Sequence, residues 1–123
     1  MQHATSAYAR VAQASQPPRE LEAMVLMKAA ARLQAVRDAW DARQGELDEA
    51  LSYNRKLWTI LVSSATGEEN PLPPPLKQNL ANLGVFVFRH TIALMGAPSP
   101  ERLGILIDIN RELAAGLRGQ APA

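Results

Sequence analysis

The side chains of this sequence that could do chemistry are few and scattered. Cysteine is absent and histidine occurs only at positions 3 and 90, which removes thiol nucleophiles, thiolate sites and any histidine-rich metal centre. A general base needs a hydrogen-bonded partner to orient and tune it. Nothing in the order of the chain brings His90 together with Asp108, the one acid inside the apolar part of the last helical run, so His90 reads as a core or boundary histidine with a satisfied hydrogen bond. The carboxylates in "ELDEA" (46–50) and "GEE" (67–69) read as a solvated helix start and loop charges. The seven glycines never form a glycine-rich loop leading into a helix, so no phosphate cradle is encoded. The expectation is a chain without catalytic, metal-binding or cofactor-binding residues, and not an enzyme.

Amides and cations are the more informative polar groups. Asn54, Asn82 and Asn110 each fall on or beside an apolar seam, and a buried amide without a partner costs about 1–3 kcal/mol. Two readings are open. In one, Asn54 pairs with Asp108 or Asn110, with Asn82 in the same set, as an internal network that fixes helix register. In the other, the amides and the neighbouring Arg55, Lys56 and Arg111 rim an apolar groove for a partner helix, where the charged edge sets orientation and the floor supplies affinity.

These residues need elements to position them. Pro17-Pro18, Gly45, "GEENPLPPP" (67–75), "GAPSP" (96–100) and "GQAPA" (119–123) break the chain into runs rich in Ala, Leu, Arg, Glu and Met, which predicts helices over 18–43, 46–65, 74–95 and 100–118. Leu26, Ala30, Leu33, Val36 and Trp40 make one apolar stripe; Leu47, Leu51, Asn54, Trp58, Leu61 and Ala65 make the next. The two stripes are in phase across Gly45, but one helix of that length would reach about 70 Å, so a break is placed at Gly45. The third run has Leu76, Leu80, Leu83, Val87, His90 and Leu94 on one stripe, with Val85, Phe86, Phe88, Ile92 and Met95 outside it. A helix that apolar should be central or cover a partner. The fourth opens with Ser99 as N-cap and Pro100 in the first position, with Leu106, Ile109, Leu113 and Leu117 on its stripe.

Four amphipathic runs joined by short connections predict an all-α fold, a small four-helix bundle over residues 18–119, with an N-terminal arm (1–17) and a short tail (120–123). Trp40, Leu57, Trp58, Leu61, Leu83 and Val87 are the expected core. The expected partner-binding positions are Arg55, Lys56 and Arg111, the off-stripe Phe86, Phe88 and Ile92, and Tyr8 on the arm. With 13 Lys and Arg against 12 Asp and Glu, no long-range field draws the chain to nucleic acid or membranes. Uncharged stretches such as Gln78–Phe88 fall short of the ~20 apolar residues of a membrane span, and the first residues lack a signal-peptide pattern. The expectation is a soluble, unexported chain in the cytoplasm.

Taken together, "NRKLWTILV" (54–62), "ENPLP" (69–73), "NLANLGVFV" (79–87) and "LIDINRELAAGLRG" (106–119), in that order and spacing, resemble the FlaF family of flagellar biosynthesis regulators of alphaproteobacteria. The resemblance extends to "AYARVA" (7–12) and "SQPPRELEA" (15–23). It implies a cytoplasmic, non-enzymatic helper that binds flagellin before secretion and acts on its synthesis and export, alongside a companion regulator of the FlbT type and the export machinery. It also raises an alternative, direct contact with flagellin messenger RNA by Arg55, Lys56, Lys77, Arg89 and Arg111 if these converge on one face. Near-zero net charge and only six aromatic residues, two each of Trp, Tyr and Phe, argue against that alternative, because RNA binders present basic surfaces with exposed aromatics.

Overall fold

The computed structural model describes residues 19–119. Four long helices, α1 (Arg19–Asp38), α2 (Leu47–Thr66), α3 (Pro74–Gly96) and α4 (Gly104–Leu117), account for the fold, and there is no strand among the described residues. "VFVF" (85–88) lies inside α3.

Helix α1 carries Glu20 and Glu22 in its first turn and Arg37 in its last, an arrangement that complements the helix dipole. Its buried face alternates Leu26, Leu33 and Val36 with Ala23, Ala29 and Ala30. The small side chains let α4 pack along it, and this is the most extensive helix contact in the molecule. On its other flank α1 meets α2, and α2 in turn carries α3.

The break between α1 and α2 starts earlier than Gly45. At Ala39 the backbone leaves helical values (φ −126°, ψ 46°); a single helical turn, Trp40–Arg43, and a 3₁₀ turn, Gln44–Glu46, then carry the chain round. Arg43 clamps this corner by donating to both carboxylate oxygens of Glu46 at 2.8 Å. Because the phase is lost at Ala39, Trp40 drops off the α1 stripe and is only partly buried at the core edge. Beyond α2, Asn70 holds the loop: its Nδ2 donates to the Ser64 carbonyl at 3.2 Å and its Oδ1 accepts from the Leu72 amide at 2.9 Å. Lys77 donates to the Gly67 carbonyl at 2.8 Å. Carbonyls at the end of α2 that lack helical partners are thereby satisfied.

Helix α3 starts with Pro74 and Pro75 in its first positions, where a missing N–H costs nothing. It is not central. It rests chiefly on α2 and leaves Leu76, Val85, Phe86, Ile92 and Met95 exposed. Two contacts locate it. His90 Nε2 lies 2.7 Å from the Arg102 carbonyl oxygen, so that nitrogen carries the proton and ties the C-terminal half of α3 to the start of α4. At Gly84, α2 comes so close that an added Cβ would stand 2.6 Å from Val62 Cγ2. The start of α4 also differs from expectation: Glu101–Leu103 is a 3₁₀ turn, and the Ser99 hydroxyl donates to the Glu101 carboxylate at 2.7 Å instead of capping backbone amides.

The Gly84 contact yields a stability prediction. A β-branched Val62 in a helix has one strongly preferred rotamer and cannot swing aside, so Gly84→Ala must part α2 from α3. Overpacking costs about 1–3 kcal/mol, against a helix-propensity gain of about 1 kcal/mol. Denaturant unfolding should show Gly84→Ala less stable than the parent, and much less harmful in a Val62→Ala background; equal effects in the two backgrounds would refute the contact.

Candidate partner interface

Helix α2 takes part in two features, a polar knot in the core and an apolar groove on its outer side. The knot is built from α2 and α4. Trp58, wholly buried, donates its indole N–H to Asn110 Oδ1 at 2.9 Å. Asn110, also wholly buried, donates from Nδ2 to Asn54 Oδ1 at 2.7 Å and reaches the Leu26 carbonyl on α1 at 3.4 Å. Three helices meet at one amide. Asn54 Nδ2 is buried without a hydrogen-bond partner among the described residues.

Asp108 and Asn82 lie outside this knot. Asp108 is exposed, since two residues place it about 200° round α4 from Asn110. Asn82 is also exposed and accepts from Gln78 Nε2 at 3.0 Å, one turn earlier on α3. On α4 the fully buried face is Leu106, Ile107, Asn110 and Ala114, so the amide sits at the centre of the buried face and not beside it. Leu61 and Val87 are buried, while Leu57 and Leu83 are half-buried against the core.

The groove runs between the antiparallel α1 and α2. It has a volume of about 480 Å³ and is lined by Leu21, Val25, Leu57 and Ile60, with Tyr53 and Lys56 toward one end. Leu21 is 58% exposed and Ile60 69%, so its apolar walls face solvent. At the Tyr53 end, Arg32 stacks over the phenol ring with its guanidinium carbon 4.6 Å from the ring centre, and Lys28 Nζ approaches to 5.9 Å. At the other end Glu22 is partly buried among apolar neighbours. Desolvation pushes its carboxyl above the ordinary carboxylate value, and the nearby Arg19 charge opposes this only in part. A second cleft, of about 350 Å³, opens where the N-terminal half of α3 stands off α4, lined by Leu72, Leu76, Leu80, Leu83, Leu113 and Leu117.

The expected partner-binding residues divide. Arg55 and Lys56 are exposed on α2, and Lys56 lines the groove. Arg111 is exposed but donates to Gln34 Oε1 on α1. Ile92 is exposed, Phe86 is 38% exposed and stacks on the His90 ring, and Phe88 is half-buried against the core, so these three make no single patch. Tyr8 and the arm lie outside the described residues. The groove residues Leu21, Val25, Tyr53 and Ile60 each sit off the main stripe of their own helix, so the stripes do not mark them. The available signal was two helices with apolar residues flanking the stripe on the side where they meet. Among the described residues no helix is long and apolar enough to cross a membrane, and no cluster of three His, Asp or Glu could hold a metal.

The sequence profile of a family described as "Flagellar protein FlaF" matches residues 4–117. No curated protein and no solved structure matches the chain.

The knot and the groove each generate a prediction. Asn110→Leu would strip Trp58 of its acceptor and Asn54 of its donor, two buried orphans at about 1–3 kcal/mol each. Asn54→Leu removes an amide that is already half unpaired and leaves Asn110 the Leu26 carbonyl. Asn110→Leu should therefore be the more destabilising by at least about 2 kcal/mol in urea unfolding, and similar costs for the two would contradict the hydrogen-bond assignment. For Glu22, a folded-state pKa raised above the unfolded one means the folded chain binds the proton more tightly. Its contribution favours folding below the ordinary value of 4.5 and is lost as pH rises through the raised value. Glu22→Gln should raise the melting temperature at neutral pH and lose that advantage in acid, and a benefit that grows on acidification would reverse the sign.

Proposed function

The chain belongs to the FlaF family of flagellar proteins, and from that premise we propose that it is a cytoplasmic, non-enzymatic binder of flagellin that acts as a secretion chaperone or regulator of flagellin synthesis and export. Family membership across residues 4–117 carries the reading. The groove supports it: an export helper must hold a helical, aggregation-prone segment without covalent chemistry, and an apolar channel between two helices does so by helix-in-groove contact. A companion regulator of the FlbT type and the export machinery are further partners under this proposal. The N-terminal arm, with Tyr8, is proposed to join the contact.

Direct contact with flagellin messenger RNA has less in its favour. Arg55, Lys56, Lys77, Arg89 and Arg111 are spread over α2, α3 and α4. Lys77 and Arg111 are engaged by Gly67 and Gln34. Tyr53, the aromatic ring nearest a cationic cluster, is covered by Arg32 and is not free to stack on a base.

The purified protein should co-elute with monomeric flagellin at micromolar concentration with no nucleotide or metal added, and should not shift flagellin messenger RNA at moderate salt. Reversing Arg55 and Lys56 to Glu should weaken the flagellin complex while changing stability by less than about 0.5 kcal/mol. Trp58→Ala should instead unfold the domain, since loss of a buried aromatic costs about 3–5 kcal/mol. No co-elution, or a strict requirement for ATP, would overturn the proposal.

A further inference from the structure

The α1–α2 groove has polarity along its length. Leu21, Val25, Lys28 and Arg32 follow one another along α1 at spacings of four, three and four, and Ile60, Leu57 or Lys56, and Tyr53 run the opposite way along α2. One end is apolar, walled by Leu21, Val25, Leu57 and Ile60; toward the other, Lys28 and Arg32 approach the Tyr53 ring and Lys56 lines the groove, with Glu46 and Glu49 sharing the neighbouring cleft with Arg32. None of these three cations forms an ion pair with a carboxylate among the described residues. The run from Leu21 to Arg32 spans about 16 Å, roughly three helical turns, the length over which a docked helix places anchors at i, i+4 and i+7.

We propose that this groove receives a single amphipathic helix of another protein, its apolar stripe against Leu21, Val25, Leu57 and Ile60 and its acidic end against Lys28, Arg32 and Lys56. Charge complementarity selects this occupant. A second copy of the chain offers the wrong partner in α3, because its exposed apolar face has no acidic residue and carries Arg89, which would bring cation against cation. Glu22 at the apolar end disfavours an acid there and so orients the guest. The inference rests on the reading of the chain as a binder of a helical client, and it adds the surface, the charge of the guest and its direction.

The test titrates the full-length protein with two helical peptides of about 18 residues that share one Leu/Ala stripe, one ending in a cluster of Glu and the other in a cluster of Lys. The Glu peptide should bind about tenfold more tightly, and high salt should shrink the difference, because these charges are exposed. Lys28→Glu with Arg32→Glu should reverse the preference, and Ile60→Asp should weaken both peptides while circular dichroism remains that of the parent. Equal affinity for the two peptides, a preference that survives the charge reversal, or unchanged binding by Ile60→Asp would each overturn the assignment. Flagellin is titrated in parallel. If the peptides behave as expected and flagellin does not bind, the groove stands and the flagellin reading falls. If flagellin binds equally well to the parent and to Ile60→Asp while the peptides are not distinguished, the reverse holds.

Discussion

The amide of Asn110 sets the register of α4 against α1 and α2. Buried beyond reach of water, it must both accept and donate inside the protein, and it meets that demand by taking the Trp58 indole proton on one atom and giving protons to Asn54 and the Leu26 carbonyl from the other. Any slip of α4 by one turn, or rotation by one residue, would leave buried polar atoms on two helices unpaired, each at about 1–3 kcal/mol. Apolar stripes alone tolerate such slips, because leucine packs against leucine in many registers. The alanines of α1 permit the close approach; the amide decides where along the helix it occurs.

Helix α3 lies outside that constraint, and its surface shows the consequence. It has no polar contact with the knot and is located by the narrow passage at Gly84 and the His90 hydrogen bond to Arg102. One flank packs on α2, while a helix apolar almost all round has more apolar area than one neighbour can cover. The remainder appears as the exposed Val85, Ile92 and Met95 and as the cleft toward α4. Uncovered apolar surface in this fold thus lies along the outer seam of α1 and α2 and on the free flanks of α3.

Much of this could be read from the residues. Period and breakers locate the four helices, Pro74 starts the third, and Asn54 stands out as a polar member of an apolar stripe. What escaped was set by tertiary phase. No glycine or proline marks Ala39, so the early end of α1 and the partial exposure of Trp40 had no local signal. On α4 the stripe drawn through Leu106, Ile109, Leu113 and Leu117 follows apolarity and passes beside Asn110, whereas the buried face centres on the amide. Serine before proline at 99 and 100 suggests an N-cap, yet a 3₁₀ turn uses that hydroxyl for the Glu101 carboxylate. The groove belongs to neither α1 nor α2 alone, and a shared surface is invisible until the pairing of helices is known.

The stretch "NRKLWTILV" (54–62) shows how one helix serves both purposes. At about 100° per residue, Asn54, Trp58 and Leu61 point inward to the knot and the core, while Lys56, Leu57 and Ile60 turn toward the seam with α1. Tyr53, one residue before the stretch, belongs to that outer row. The wall against which a guest helix would lie is therefore the back of the most tightly specified segment in the molecule. Ordering a flexible surface on binding costs conformational entropy, and a wall whose backbone is already fixed by Trp58 and Asn110 has little left to lose. The polar knot thereby fixes the α2 wall that carries Leu57 and Ile60 opposite Leu21 and Val25.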